Sequence, residues 1–178
     1  MKKIIISSIV ASAFLASQAS AESDYIGFDI GNTTAEFTAK AAGTSTTEKD
    51  DGGTLTLKLG HQYDDGGRVT FAVQNINASD AKFYLGTLSY DYLIGDAALK
   101  PFLGATVGYG VYDVDNSDIA MKGVVYGAQA GLNYQATKDF SVEAGYRYLR
   151  SNMKDSIAIV DLEVDNIQNW FIGLNYHF

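Results

Sequence analysis

Eight stretches of this sequence alternate apolar and polar residues, and a period of two is the period of a β-strand. The last is the most regular. Trp170, Ile172, Leu174, Tyr176 and Phe178 share one phase, and Asn169, Phe171, Gly173, Asn175 and His177 share the other. One face of that strand is almost wholly apolar and large, and the chain stops on a phenylalanine with nothing after it to cover that face. A strand whose outer face meets lipid has to look like this.

The alternation predicts strands at 25–36, 54–63, 68–76, 82–94, 99–112, 123–135, 140–149 and 170–178. Each holds about ten residues, the length a tilted strand needs to cross the hydrocarbon. In the second, Leu55, Leu57, Leu59, His61 and Tyr63 stand against Thr56, Lys58, Gly60 and Gln62. The fourth reads either way. Turning Tyr84, Gly86, Leu88, Tyr90 and Tyr92 outward puts Ser89 and Asp91 inside. Short turns follow the second, fourth and sixth strands, and Asp64-Asp-Gly-Gly67 has glycines that allow positive φ. The other connections, 38–53, 77–81, 113–122 and 150–166, are expected to be exposed loops, with 157–164 extending the flanking strands past the bilayer. Short turns on one side, long loops on the other and an even strand count describe an antiparallel up-and-down transmembrane barrel with both termini at the periplasm. Tyrosine and phenylalanine gather near the strand ends, as interfacial girdles require. A lipocalin-like barrel or a β-sandwich would show the same alternation with its apolar phase inside. Two features favour the membrane. The polar phase is rich in glycine (Gly104, Gly108, Gly110, Gly127, Gly131, Gly145, Gly173), which suits a crowded interior, and the long charged loops share one end.

Met1-Lys2-Lys3, the apolar run 4–15 and Ala19-Ser-Ala21 read as a secretory signal peptide cut after Ala21, leaving a barrel domain at 22–178. Without Lys2 and Lys3 the chain carries 11 basic against 21 acidic residues, which argues against nucleic acid as a partner. There is no cysteine, so an exported fold of this kind is stabilised by something other than disulfides, such as closure of a barrel.

The segments Lys100-Pro-Phe-Leu-Gly-Ala-Thr-Val-Gly-Tyr-Gly110 and Phe140-Ser-Val-Glu-Ala-Gly-Tyr-Arg-Tyr148 resemble strands of the small eight-stranded outer-membrane barrels. That family includes the OmpX and Ail type, the membrane domain of OmpA and opacity-like surface proteins. The ending resembles the signal read by the barrel-assembly machinery, carried here by Gly173, Tyr176 and Phe178. The resemblance implies a Gram-negative outer membrane, contact with its lipid and assembly by that machinery. It departs from OmpA in that nothing follows Phe178, so no peptidoglycan-binding domain is expected. A monomer without a cofactor is expected.

Asp29, Lys58, Asp91, Glu143 and Arg147 all fall in the inward phase. Buried charges must pair. Glu143 and Arg147 are four apart on one strand face, ~13 Å at strand rise, so each needs a partner on another strand. Either these groups form a plug of ion pairs, or they line a narrow conducting path. Eight strands leave an interior that side chains can fill, which favours the plug. An unpartnered arginine or lysine inside would favour the path.

Some barrels of this family modify lipid A with a Ser/His/acid arrangement at the outer rim. Here the only histidines are His61 and His177, both near the periplasmic end and without a serine two residues away, so no enzyme is expected. His177 reads as an interfacial group. Asp113-Val-Asp-Asn-Ser-Asp118 offers oxygen ligands, but Asp118 and Val124 stand where a calcium loop of the EF-hand type needs Gly and Glu. The expectation is therefore an outer-membrane barrel with a structural or surface-interaction role, meeting a host or cell-surface ligand through its first and fourth outer loops. The alternative is a narrow porin.

Overall fold

The computed structural model describes residues 23–41, 44–78, 81–114, 120–157 and 160–178. The expected leader, 1–21, lies outside the described residues. The strands are β1 (Ser23–Ala41), β2 (Thr44–Gln62), β3 (Gly67–Ala78), β4 (Ala81–Leu93), β5 (Leu99–Val114), β6 (Ala120–Gln135), β7 (Phe140–Ser151), β8 (Lys154–Ile157) and β9 (Val160–His177). Each pairs antiparallel with its neighbour, and β9 closes the ring onto β1, with Phe28 opposite Leu174. Eight strands make the wall. Among the described residues the short β8 pairs only with β9, at the outer end.

The lower turns are tight. Tyr63 N–H donates to Gly67 O at 2.8 Å, and Gly66 sits at φ +89°, which a side chain would strain. The other end differs from expectation. Residues 38–41 and 44–53, expected as part of a loop, are strand. They continue β1 and β2 in register up to Ala41 opposite Thr44. Likewise β3 and β4 pair up to Ala78 opposite Ala81, β5 runs to Val114, and β9 begins at Val160. The expected loops at 38–53 and 113–122 are thus partly strand, while the extension of the flanking strands expected at 157–164 is present at Ile157 and at 160–164. Polar Thr-rich segments form strands readily when a neighbour supplies a ladder.

The phases are as the alternation predicted. The apolar phase faces out, with Leu57, Leu103, Trp170, Ile172 and Phe178 among the most exposed residues. The open phase of β4 resolves with Tyr84, Leu88, Tyr90 and Tyr92 outward and Asp91 fully buried. Outward aromatics mark two rims: Tyr84, Tyr109, Tyr126, Tyr148 and Trp170 above, and Tyr92, Tyr134, Phe140, Tyr176 and Phe178 below.

Polarity inverts above the upper rim. Along β7 the inward residues run Glu143, Arg147, Leu149, while the outward ones run Val142, Tyr148, Arg150. Along β3, Gln74 inside gives way to Ile76, and exposed Val73 gives way to Asn75. Below the rim the wall is apolar outside and polar inside. Above it, the wall is polar outside and closes on an apolar core of Ile76, Phe83, Leu85, Val125, Leu149, Ile167 and their neighbours. A β-bulge at Asp165, between the pairs Glu36–Asn166 and Phe37–Val164, lets both Val164 and Ile167 face that core.

Candidate functional site

The lumen is filled in two tiers. The lower tier is polar and lies level with the apolar belt. Lys58 of β2 reaches Asp29 Oδ1 and Glu143 Oε1, both at 2.5 Å. Arg68, at the start of β3, donates through Nη1 to Glu143 Oε2 at 2.6 Å. Its Nε and Nη2 donate to Asp91 Oδ2 at 3.1 and 2.9 Å. Gln129 then donates to Asp91 Oδ1 at 2.6 Å and accepts from Arg147 Nε at 2.7 Å. All five residues singled out from the sequence lie in this tier, 0–4% exposed. The network joins them into one chain from Asp29 to Arg147. Three carboxylates face three cations.

Arg68 was missing from the sequence reading, and it is the member that ties Glu143 to Asp91. It shares a phase with Thr70 and Gln74, so alternation alone could have found it. Its guanidinium also lies over the Phe102 ring, 5.0 Å from the centroid.

Glycines make room for the network. A Cβ at Gly104 would run into Asp91 Oδ1, and one at Gly173 into Asp29 Oδ1. Gly173 thus has a packing reason of its own, apart from any assembly signal. Tyr176 and Phe178, the other residues of that signal, face outward, and their rings lie 6.2 Å apart.

His177 is not interfacial. It lies buried in the lower mouth, where Nε2 is 2.9 Å from Ser141 Oγ and Nδ1 is 3.3 Å from Ser23 Oγ. The serines come from β7 and β1, so no search along the chain near His177 would have met them. Ser141 is itself fully buried and accepts from Asn133 and Asn175. His61 sits at the same rim, its Nδ1 2.7 Å from Asp24 Oδ1. Of the acidic run 113–118, residues 115–118 lie outside the described residues.

The upper tier is the apolar core. Met153, from the link between β7 and β8, enters it from above and is fully buried. It seats against Gly110 and Gly123, which face each other across β5 and β6. Asn152 anchors the link: its N–H donates to Val124 O at 3.1 Å, and its Oδ1 accepts from Val124 N–H at 2.8 Å. Phe37 and Tyr112 pack against the same core, with rings 5.4 Å apart.

Above the core the wall is uneven. β1 and β9 pair up to Ala41 opposite Val160, and β1 and β2 up to Ala41 opposite Thr44. The β2–β3 ladder ends lower, at Gly53 opposite Asn77. Among the described residues, 44–52 of β2 therefore pair on one side only, as the edge of a raised sheet of β2, β1, β9 and β8.

A closed antiparallel barrel with a large apolar belt outside and ion pairs within is a membrane-spanning barrel. Residues 6–178 match the family described as the outer membrane protein beta-barrel domain, and the chain belongs to it. Among solved structures it is similar to Neisserial surface protein A (TM-score 0.58, 21% identity, covering 85% of this chain and 97% of that one). It is similar as well to the N-terminal barrel domain of Pseudomonas aeruginosa OprF (0.52, 15%, 86% and 97%). OprH of P. aeruginosa is a further similar structure (0.52, 24%, 83% and 99%). At these identities the likeness is one of fold. No curated protein sequence matches the chain significantly.

Proposed function

We propose that this protein is a closed, non-conducting barrel of the outer membrane whose role is adhesion-like and is carried by the sheet it raises above the lipid. The observation that carries the reading is the double filling of the lumen. Above the ion pairs lies an apolar core whose largest members are fully buried. Ions crossing it would have to shed their water in an apolar medium. Outside, the one-sided edge at 44–52 offers unpaired main-chain N–H and C=O groups, which an extended segment of a partner can pair with. The His177–Ser141 pair does not lead us to an enzyme, because Ser141 is fully buried. In this reading the leader is cut after Ala21, the assembly machinery reads the last strand, and the barrel works as a monomer.

One observation favours the narrow porin. Arg147 meets no carboxylate directly among the described residues and is held by Gln129. The apolar tier above it outweighs this. The test is single-channel recording on the refolded barrel, with heat-modifiable gel mobility to show that it has folded. We expect silence from folded, inserted protein. Discrete current steps would refute closure and make the porin the better reading.

A further inference from the structure

The wall carries a groove on its lipid-facing side. It lies across β1, β9, β7 and β6, from the middle of the apolar belt up to Trp170 of the upper rim. Its sides are Ile30, Ala130, Ala144, Tyr146, Trp170 and Ile172, and its volume is about 650 Å³, within the ~300–1,000 Å³ of small-molecule sites. Two features of the sequence make it. Ala130 and Ala144 stand in the outward phase where other strands carry Leu or Tyr. Beneath them Gly31, Phe171, Gly145 and Gly131 form one cross-strand row, so three of four positions have no side chain. The Phe171 ring closes the row from inside, buried with Leu93 and Phe102, so the groove faces only the bilayer.

The upper wall is held in place. Tyr146 OH donates to Gln168 Oε1 at 2.8 Å, and its ring lies 4.5 Å from that of Trp170. The surface above is polar. Gln168 Nε2 donates to Asn166 Oδ1 at 3.0 Å, and Arg150 stands opposite Asn166 in the ladder, exposed and in the outward phase. From Ala144 to Arg150 is six residues, ~20 Å along the strand. At the usual ~40° tilt that is ~15 Å of depth, the thickness of one leaflet. An apolar groove, a polar shelf and a cation follow one another over the depth of a single lipid.

We propose that this face binds one phosphorylated lipid of the outer leaflet, with an acyl chain in the groove beside Ala130 and Ala144 and its phosphate on Arg150. The chain replaces the disordered lipid packing that a smooth wall would have. The phosphate meets an outward-facing cation on a chain that is otherwise strongly acidic.

Trp170 is the only tryptophan of the chain and lines the groove, so it reports directly. The experiment titrates the refolded barrel, in micelles of an uncharged detergent, with phosphatidylglycerol brominated at mid-chain. Quenching of Trp170 is expected to saturate near one lipid per barrel. Filling the groove with Ala130→Phe and Ala144→Phe together should abolish saturation while leaving folded gel mobility intact. Arg150→Gln should raise the half-quenching concentration about five-fold, since one cation at an anionic headgroup contributes roughly that much. The same substitution should leave a brominated phosphatidylcholine titration unchanged. Quenching that rises linearly with lipid, equally in wild type and filled variant, would mean annular lipid alone and would overturn the proposal. So would a barrel that sediments as a dimer and becomes monomeric on Ala144→Phe, which would give the groove to a second copy.

Discussion

Replacing Arg68 by Met tests whether the lower tier is a coupled network or a set of separable pairs. Arg68 is buried and makes three hydrogen bonds to two carboxylates. Counting each charge-assisted bond at ~1.5–3 kcal/mol would give a loss of ~5–9 kcal/mol. That sum is too large. Asp91 keeps Gln129 at 2.6 Å, and Glu143 keeps Lys58 at 2.5 Å, so neither carboxylate is stranded. The measured cost of breaking a buried pair, ~3–5 kcal/mol, is the better figure. Met retains the aliphatic stem, so little of this is packing. Removing Glu143 in the same chain (R68M with E143Q) restores the balance of two acids and two bases in the tier. The double variant should therefore be more stable than the sum of the single losses predicts, by ~2 kcal/mol or more. The assay is reversible urea unfolding in lipid vesicles, followed by Trp170 fluorescence. An R68M barrel within 1 kcal/mol of wild type, or strict additivity in the double variant, would refute the coupled network.

Two further substitutions separate folding from assembly. Phe178→Ser alters an exposed residue on the lipid side and should lower the amount of folded protein in the outer membrane of cells, while the barrel refolded in vitro keeps near wild-type stability. Gly173→Ala should do the reverse. Its Cβ meets Asp29 Oδ1, so it costs ~1–3 kcal/mol in vitro whatever the cell does with it. An in vitro stability unchanged by Gly173→Ala would dismiss the seat for Asp29. Met153→Ala should leave a void in the upper core worth ~2–5 kcal/mol in the same unfolding assay, and a cost near zero would mean that the core is loosely packed.

The wall was legible in the sequence because a lipid-facing strand has one strict demand, an apolar residue at every second position. Strands β5, β6 and β7 meet it over most of their length, and each phase read from them holds in the structure. The lumen was half legible. Asp29, Lys58, Asp91, Glu143 and Arg147 could be placed inside by phase, but their partners lie on other strands and depend on ladder register, which one sequence does not contain. His177 illustrates the limit. Its neighbours Ser141 and Ser23 stand 36 and 154 residues away along the chain. The outer half was misread at 38–53, though not at 157–164, for a physical reason. Above the upper rim the apolar phase changes sides, so each strand that crosses the rim breaks its own alternation. In β9 the bulge at Asp165 adds a second break, and Val164 and Ile167, three apart, face the same way. A pattern search looking for one phase ends each strand at the inversion and calls the remainder a loop.

That inversion also locates the membrane without reference to any relative. A soluble barrel buries its apolar phase along its whole length, and a wall wholly within lipid exposes it along its whole length. This chain does both in succession, and the change occurs at one height around the wall. On β1 it falls between exposed Ile30 and half-buried Thr34, on β3 between Val73 and Asn75, on β7 between Tyr148 and Arg150, and on β9 between Trp170 and Gln168. Strands far apart in the sequence agree on that height only if one external boundary imposes it. The upper aromatics lie at the same level, where amphipathic rings prefer the interface. The division of the lumen follows. Below the boundary the outer face gains nothing from hydrophobic burial, because lipid is as apolar as the residues that meet it, so cohesion has to come from ion pairs and hydrogen bonds inside. Above it water is outside again, and an apolar core is the more effective filling. Met153 and the core beneath it are therefore what a barrel acquires when its strands outgrow the membrane, and they fill the lumen above that boundary.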